Sequence, residues 1–221
     1  MLVLGISGSP RRGKTTDRLV REVLNAVEVK TEFISLAGKK IAPCSACLAC
    51  LRDNRCPIKD DMAAIRESIL AADGLVIGAP NYFANLNGIT HAMLERLCQF
   101  RHRSGAALAG KPTVVVGTGG LDPSAPASAI EKMLPYFQLR HVGTVTAQGA
   151  ASCFSCGHGE ECSNGAVQML HAPGIRITRD IVPDLANQHE ALRRARLLGG
   201  LLSEHLRVNP ASPTTKRRQK P

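Results

Sequence analysis

The chain of 221 residues has no tryptophan, only two tyrosines and only five phenylalanines. A core must then be built from aliphatic side chains, and any place where two rings stand together calls for an explanation. No stretch is long and apolar enough to cross a membrane. Nor does the start read as a secretion signal: the apolar run Leu2 to Ile6 is too short, and the arginines follow it instead of preceding it. A cytoplasmic location is expected, where the eight cysteines would be thiols. That favours metal or redox chemistry over disulfides. Acidic residues are also scarce, 18 against 28 basic ones. Five of the basic residues fall between Arg207 and Pro221, which leaves 23 against 18 and a modest excess over the rest. Such an excess suits an anionic cofactor, and no nucleic acid is expected as partner. Residues 1–207 are expected as one domain and 208–221 as a disordered basic tail.

The chain is organised around its first sixteen residues. Leu2 to Ile6 reads as a buried strand, Ser7 to Gly13 as a small-residue loop, and Leu19, Val20, Val23, Leu24 and Val27 fall on one face of a helix. Strand, tight loop and helix N-terminus together present free backbone N–H groups and the positive end of the helix dipole to a phosphate. Ser7, Ser9, Thr15 and Thr16 add hydroxyls, and Arg11, Arg12 and Lys14 add charge. Two templates fit: Gly8-x4-Gly13-Lys14-Thr15 matches the P-loop of triphosphatases, and Gly-x-Ser-Gly-Ser-Pro-Arg is similar to the FMN-phosphate loop of flavodoxin-like reductases.

Downstream, strands and helices alternate. Strands are expected at 31–36, 74–79, 113–116 and 142–147, and helices at 60–72, 86–101, 126–139 and 184–206, the last weakened by Gly199-Gly200. Five short apolar strands interleaved with helices predict a doubly wound α/β fold with a five-stranded parallel sheet. A cysteine-rich loop follows the second strand, and a cysteine-rich insertion, about 148–174, follows the fifth.

Ligands of such sheets sit beyond the carboxyl ends of the strands. The loop after strand three reads Pro80-Asn81-Tyr82-Phe83, setting two of the seven rings side by side, in a wall or in the core. The loop after strand four reads Gly117-Thr118-Gly119-Gly120, where missing side chains admit something flat. An aromatic wall and a glycine ledge beside a phosphate cradle describe a flavin site. Neither strand end carries the aspartate that a P-loop enzyme sets near magnesium.

Cys44, Cys47, Cys50 and Cys56 have the spacing C-x2-C-x2-C-x5-C, followed by Pro57. Three cysteines in rapid succession lean toward an iron–sulfur cluster, whereas zinc prefers chelating pairs set further apart. With these motifs in hand, residues 1 to about 147 resemble the iron–sulfur flavoproteins, within the wider NADPH-dependent FMN reductase group of flavodoxin-like proteins. The resemblance implies FMN, one 4Fe–4S cluster on the four cysteines, and homodimers or homotetramers. It also implies electron shuttling with NAD(P)H or a ferredoxin as donor. Ser7, Ser9, Arg11, Lys14, Thr15 and Thr16 would then hold the FMN phosphate; Pro80, Asn81, Tyr82 and Phe83 would flank the ring, and Thr118, Gly119 and Gly120 would abut it. Lys14 stands where the family usually has asparagine. No side chain is needed as acid, base or nucleophile. The rival readings are a P-loop ATP-binding protein with a cluster, and a redox sensor without turnover.

Cys153, Cys156 and Cys162, with His158 between them and His171 beyond, could make a second site for zinc or an iron–sulfur cluster. The plainer alternative is a thiol-rich loop without metal. Few large apolar residues are available to order this insertion, and Cys98, beside an apolar helical stripe, reads as core.

Overall fold

A computed structural model describes residues 1–102 and 107–208, so the tail expected from residue 208 lies, but for Val208, outside the described residues. Strands β1 (Leu2–Ser7), β2 (Lys30–Ser35), β3 (Gly74–Tyr82), β5 (Pro112–Gly119) and β6 (Arg140–Gln148) form a parallel sheet in the order β2-β1-β3-β5-β6. A sixth strand, β4 (Asn85–Leu86), pairs antiparallel with the end of β3 and was not foreseen. Two residues leave no hydrophobic period to read. The order is that of the flavodoxin-like fold, with the switch point between β1 and β3.

Both faces of the sheet are covered, as the unalternating strand sequences require. Val3, Val76, Val114, Val116 and Val145 meet Leu19, Val20 and Val23 of α1 (Thr15–Asn25) and Leu198, Leu202 and Leu206 of α6 (His189–Val208). On the other face Leu4, Ile6, Leu75, Ile77 and Val115 meet α2 (Met62–Ala71), α3 (Gly88–Glu95) and α4 (Ser124–Met133). Two expected helices end early, because α3 and α4 tighten into 3-10 turns at Arg96–Phe100 and Leu134–Phe137. The closing helix starts later than expected, after Asp184 caps a separate 3-10 turn at Leu185–Asn187. The helix runs unbroken through Gly199-Gly200. A Cβ there would lie 2.4 Å from the Val23 carbonyl oxygen and 2.7 Å from Ala26 Cβ, so the missing side chain is what lets α6 cross α1 closely. Among the described residues no helix is long and apolar enough to cross a membrane.

The stretch after β6 contains one short helix, α5 (Ala166–Leu170). Its expected shortage of ordering contacts is met by the protein itself. Phe154 and Val167 are buried, Phe154 packs edge-on against His171, and the Glu160 carboxylate accepts from the Ile177 N–H at 2.7 Å.

Lys111 is 7% exposed, and its ammonium donates to the carbonyls of Ile69 (2.8 Å), Leu70 (3.0 Å) and Ala72. It thus caps the C-terminus of α2 from the start of β5. Burial pushes this lysine down to about 8, with Asp73 opposing. Replacing it by methionine should cost about 1–3 kcal/mol in urea unfolding at pH 7, as three carbonyls lose their donor. Its folded value lies below the free-lysine 10.5, so the unfolded chain holds the proton more tightly between about 8 and 10.5. The stability difference between wild type and Lys111→Met should therefore widen as pH rises across that window. A difference that shrinks with pH would contradict this account.

Candidate functional site

The loop from Ser7 to Lys14 is shaped by a residue that sequence reasoning passed over. Asp17, in the first turn of α1, is buried. Its carboxylate accepts from the Ser7 hydroxyl at 2.5 Å and from the Gly13 N–H at 2.8 Å. A buried carboxylate is tolerated when hydrogen-bonded, and here the helix N-terminus favours its charge as well. Asn87 and Thr90 of the α3 N-terminus were also missed. Asn87 donates to the Gly8 carbonyl at 2.7 Å and accepts from the Thr90 hydroxyl at 2.6 Å. A Cβ on Gly8 would fall 1.7 Å from Thr90 Oγ1, so only glycine fits there. The signals available were an aspartate three residues past Lys14 and an Asn-Gly-Ile-Thr helix start; neither announces a long-range partner.

The expected phosphate residues divide into two sets. Ser7, Ser9 and Thr16 are buried and bonded internally. Ser9 donates to the Arg11 carbonyl at 3.0 Å, and the Thr16 hydroxyl pairs with that of Thr118 at 2.7 Å. These build the loop and join it to the end of β5. Arg11, Lys14 and Thr15 are accessible, with Arg12 beside them. Arg11 donates to the Ala150 carbonyl at 2.9 Å and Arg12 to the Ala37 carbonyl at 2.8 Å, tying the loop to the segments after β6 and β2. Among the described residues the N–H groups of Lys14, Thr15 and Thr16 have no protein partner. That is the state of a helix N-terminus that receives an anion.

Beside the loop, β3 and β4 form a hairpin whose two-residue turn, Phe83-Ala84, has φ of 52° and 59°. Two left-handed non-glycine residues in succession are costly and mark a held conformation. Asn81 holds it, accepting from the Ala84 N–H at 2.9 Å while donating to the Asp122 carbonyl. Tyr82 is exposed and Phe83 is 101% exposed, so the paired rings are not core. Pro80 is half-buried at the hairpin base. Gly119 lies against Asn81: a Cβ would meet that of Asn81 at 2.8 Å. Gly120 faces Ala151, at 3.0 Å from a built Cβ. Loop, hairpin and glycine ledge thus meet at the carboxyl edge of β1, β3 and β5. A cavity of about 510 Å3 flanks the loop toward β2, lined in part by Arg12, Arg21, Phe33 and Lys39.

The cysteine loop runs along the same edge. Ala46, Leu48 and Asn54 have φ between 51° and 59°. Strained backbone of this kind at three non-glycine positions persists only where surroundings enforce it. Asn54 is held by Arg66, which is buried and donates to its carbonyl at 3.2 Å, while Arg96, 2% exposed, anchors the flanks of the loop by pairing with Asp60 at 2.7 Å and donating to the Ala42 carbonyl at 3.0 Å. Glu95 accepts from the Cys44 N–H and Gln99 from the Cys56 N–H, both at 3.1 Å. Burial opposes the Arg96 charge, but the Asp60 hydrogen bond and the Cys56 sulfur outweigh it and raise its value.

Burial pushes the Cys50 thiol up, and Cys98, Cys56 and Cys44 act in the same direction. Cys98, expected as core, is half-buried, next to the Gln99 that accepts from the Cys56 N–H. The Cys47 thiol is drawn below the usual range by the Ala49 N–H and then the Ser45 hydroxyl. Among the described residues no three His, Cys, Asp or Glu side chains converge closely enough to grip a metal ion.

Replacing Asp17 by alanine should leave Ser7 and the Gly13 N–H without their buried partner, at about 1–3 kcal/mol. Hydrogen exchange should accelerate at residues 8–14 in particular. Uniform acceleration over the whole sheet would mean that Asp17 serves only global stability.

The model of the NADPH-dependent FMN reductase family matches residues 1–157. An iron–sulfur flavoprotein of Methanocaldococcus jannaschii is 41% identical over 118 residues, covering 49% of this chain and 61% of its relative. Another, from Archaeoglobus fulgidus, is 33% identical over 144 residues, covering 64% of this chain and 73% of that one. With the first of these, the match thus spans under two thirds of the relative's length. Among solved structures, RosB bound to 8-demethyl-8-formylriboflavin 5′-phosphate superposes with a TM-score of 0.68 at 15% identity, over 96% of this chain and 81% of that one. A flavone reductase gives 0.62 at 16% identity, over 96% and 65%.

Proposed function

The chain belongs to the iron–sulfur flavoproteins of the NADPH-dependent FMN reductase family, and on that premise we propose that it passes electrons between NAD(P)H or a ferredoxin and an acceptor through FMN and a 4Fe–4S cluster. Its membership makes it a flavoprotein oxidoreductase; the donor, the cluster type and the residue roles are our reading. One observation carries the reading most: unpaired N–H groups at the start of α1 stand beside a glycine ledge and an exposed ring pair, at the switch point of the sheet.

The residues present fit FMN. Arg11, Lys14 and Thr15, with the free N–H groups, would hold the phosphate directly, while Ser7, Ser9 and Thr16 keep the loop in shape. Tyr82 and Phe83 would flank the ring, Pro80 and Asn81 would fix their hairpin, and Gly119 and Gly120 would let the ring approach the backbone, with Thr118 anchoring that ledge to α1. When bound, FMN exchanges two electrons as a hydride or one at a time, and a cluster exchanges one. The protein's part is to bind, orient and exclude water. The chemistry of the donor set suits a cluster as well: Cys44, Cys47, Cys50 and Cys56 lie on one strained loop, and a cluster would draw together sulfurs that do not converge without it. Exposed Leu48, Leu51 and Phe83 border these sites and favour a homodimer or homotetramer that covers them. We place the protein in a reducing cytosol.

Arg11→Ala with Thr15→Ala should weaken FMN binding markedly, since several charge-assisted contacts worth about 1.5–3 kcal/mol each are lost. Fluorescence titration of the apoprotein reads this directly. Undiminished FMN affinity in the double variant, with tight magnesium-dependent ATP binding in wild type, would shift the reading to a triphosphatase.

Serine at Cys44, Cys47, Cys50 or Cys56 should remove iron and sulfide while FMN stays bound, because the phosphate cradle is built from other elements. Full iron and sulfide in all four variants would place the ligands elsewhere.

A further inference from the structure

Three further cysteines lie in the stretch between β6 and α6, outside both sites above. Cys153 is half-buried and fixed: its sulfur accepts from the Ala166 N–H at 3.3 Å. Cys156 donates its thiol to the Cys153 carbonyl at 3.4 Å and accepts from the His158 N–H at 3.4 Å. Between them Gly157 has a φ of +84°, turning the chain back so that the N–H two residues on meets the sulfur. Gly159 then crosses over Cys153, where a Cβ would fall 2.1 Å from its carbonyl oxygen. The next turn returns Cys162, whose N–H donates to the His158 carbonyl at 3.0 Å. Its sulfur lies 3.4 Å from a Cβ built on Gly165. The sulfurs of Cys153 and Cys162 therefore approach one peptide unit, Gly165–Ala166, and Cys156 is hydrogen-bonded to Cys153.

We propose that Cys153, Cys156, Cys162 and His158 form a structural zinc site that locks the segment after β6. The backbone wrapping is already made, around a held Cys153. Cys156, His158 and Cys162 are exposed, and binding zinc would draw their side chains in toward Cys153. N–H groups aimed at two of the sulfurs stabilise thiolates, and binding releases the thiol protons to solvent with no change of oxidation state. Three sulfurs and one imidazole make a closed tetrahedral zinc set. An iron–sulfur cluster held by thiolates alone would want a fourth cysteine, and Cys98 lies in the 3-10 turn whose Gln99 accepts from the Cys56 N–H, at the other cysteine loop.

The test is a metal count on the full chain produced with zinc and iron both supplied. Wild type should hold about one zinc per chain. Cys153→Ser/Cys156→Ser should lose it while keeping iron and FMN, whereas Cys44→Ser/Cys47→Ser should keep zinc and lose iron. In chain stripped of zinc, added Co2+ should give the intense visible bands of tetrahedral thiolate coordination. His158→Ala should weaken those bands. Zinc absent from wild type, zinc retained by Cys153→Ser/Cys156→Ser, or iron and sulfide at these cysteines would each overturn the proposal. None of these results bears on the FMN cradle or on the 44–56 loop. A variant that fails to retain FMN is replaced by Cys162→Ser, whose exposed side chain leaves the wrapping around Cys153 intact.

Discussion

The buried carboxylate of Asp17 is the constraint on which the edge of the sheet depends. It reaches back from the first turn of α1 to the last residue of β1 and across to Gly13, closing the loop on itself. With Asp17 meeting these internal donors, the N–H groups of Lys14, Thr15 and Thr16 are left facing outward. Placing one negative charge inside the loop sharpens the division of labour there. Internal donors are satisfied, and external donors remain for an anion. Thr16 and Thr118 extend the same frame to β5, and Asn87 extends it to α3.

A second buried charge organises the neighbouring loop. Arg96 is held by Asp60 and crosses under Cys56, while Glu95 and Gln99 fix the backbone at Cys44 and Cys56. All three belong to the end of α3 and the 3-10 turn that continues it. That turn explains why the helix gives way early: tightening after Glu95 sets Arg96 and Gln99 under the loop together with the half-buried Cys98. The helix that pins Gly8 at its N-terminus therefore clamps the cysteine loop at its C-terminus, and the two sites share one rigid support.

Much of this was legible in the sequence. Apolar runs without alternation named a parallel sheet, because both faces are covered, and the glycine and cysteine spacings named the loops at its edge. Partnerships over long separations were not legible. Asp17 with Ser7 and Asn87 with Gly8 join residues whose meeting is decided by the sheet order, and nothing in local pattern encodes that. Tyr82 and Phe83 were legible as a pair but not as an exposed hairpin tip, because the two-residue β4 has no period to detect. Cys98 was misjudged for a related reason. Its place beside an apolar helical stripe suggested core, whereas it is half-buried in the 3-10 turn that replaces the end of that helix.

The close crossing at Gly199 ties the last helix to the first. Leu19, Val20 and Val23 of α1 share one apolar layer with Leu198, Leu202 and Leu206 of α6. During synthesis α1 leaves the ribosome well before α6, so it has no partner on that side until α6 has emerged. The N-terminal turn of α1 is thus made before the helix that seats it. A product truncated before α6 would present the apolar face of α1 unanchored to the quality-control machinery.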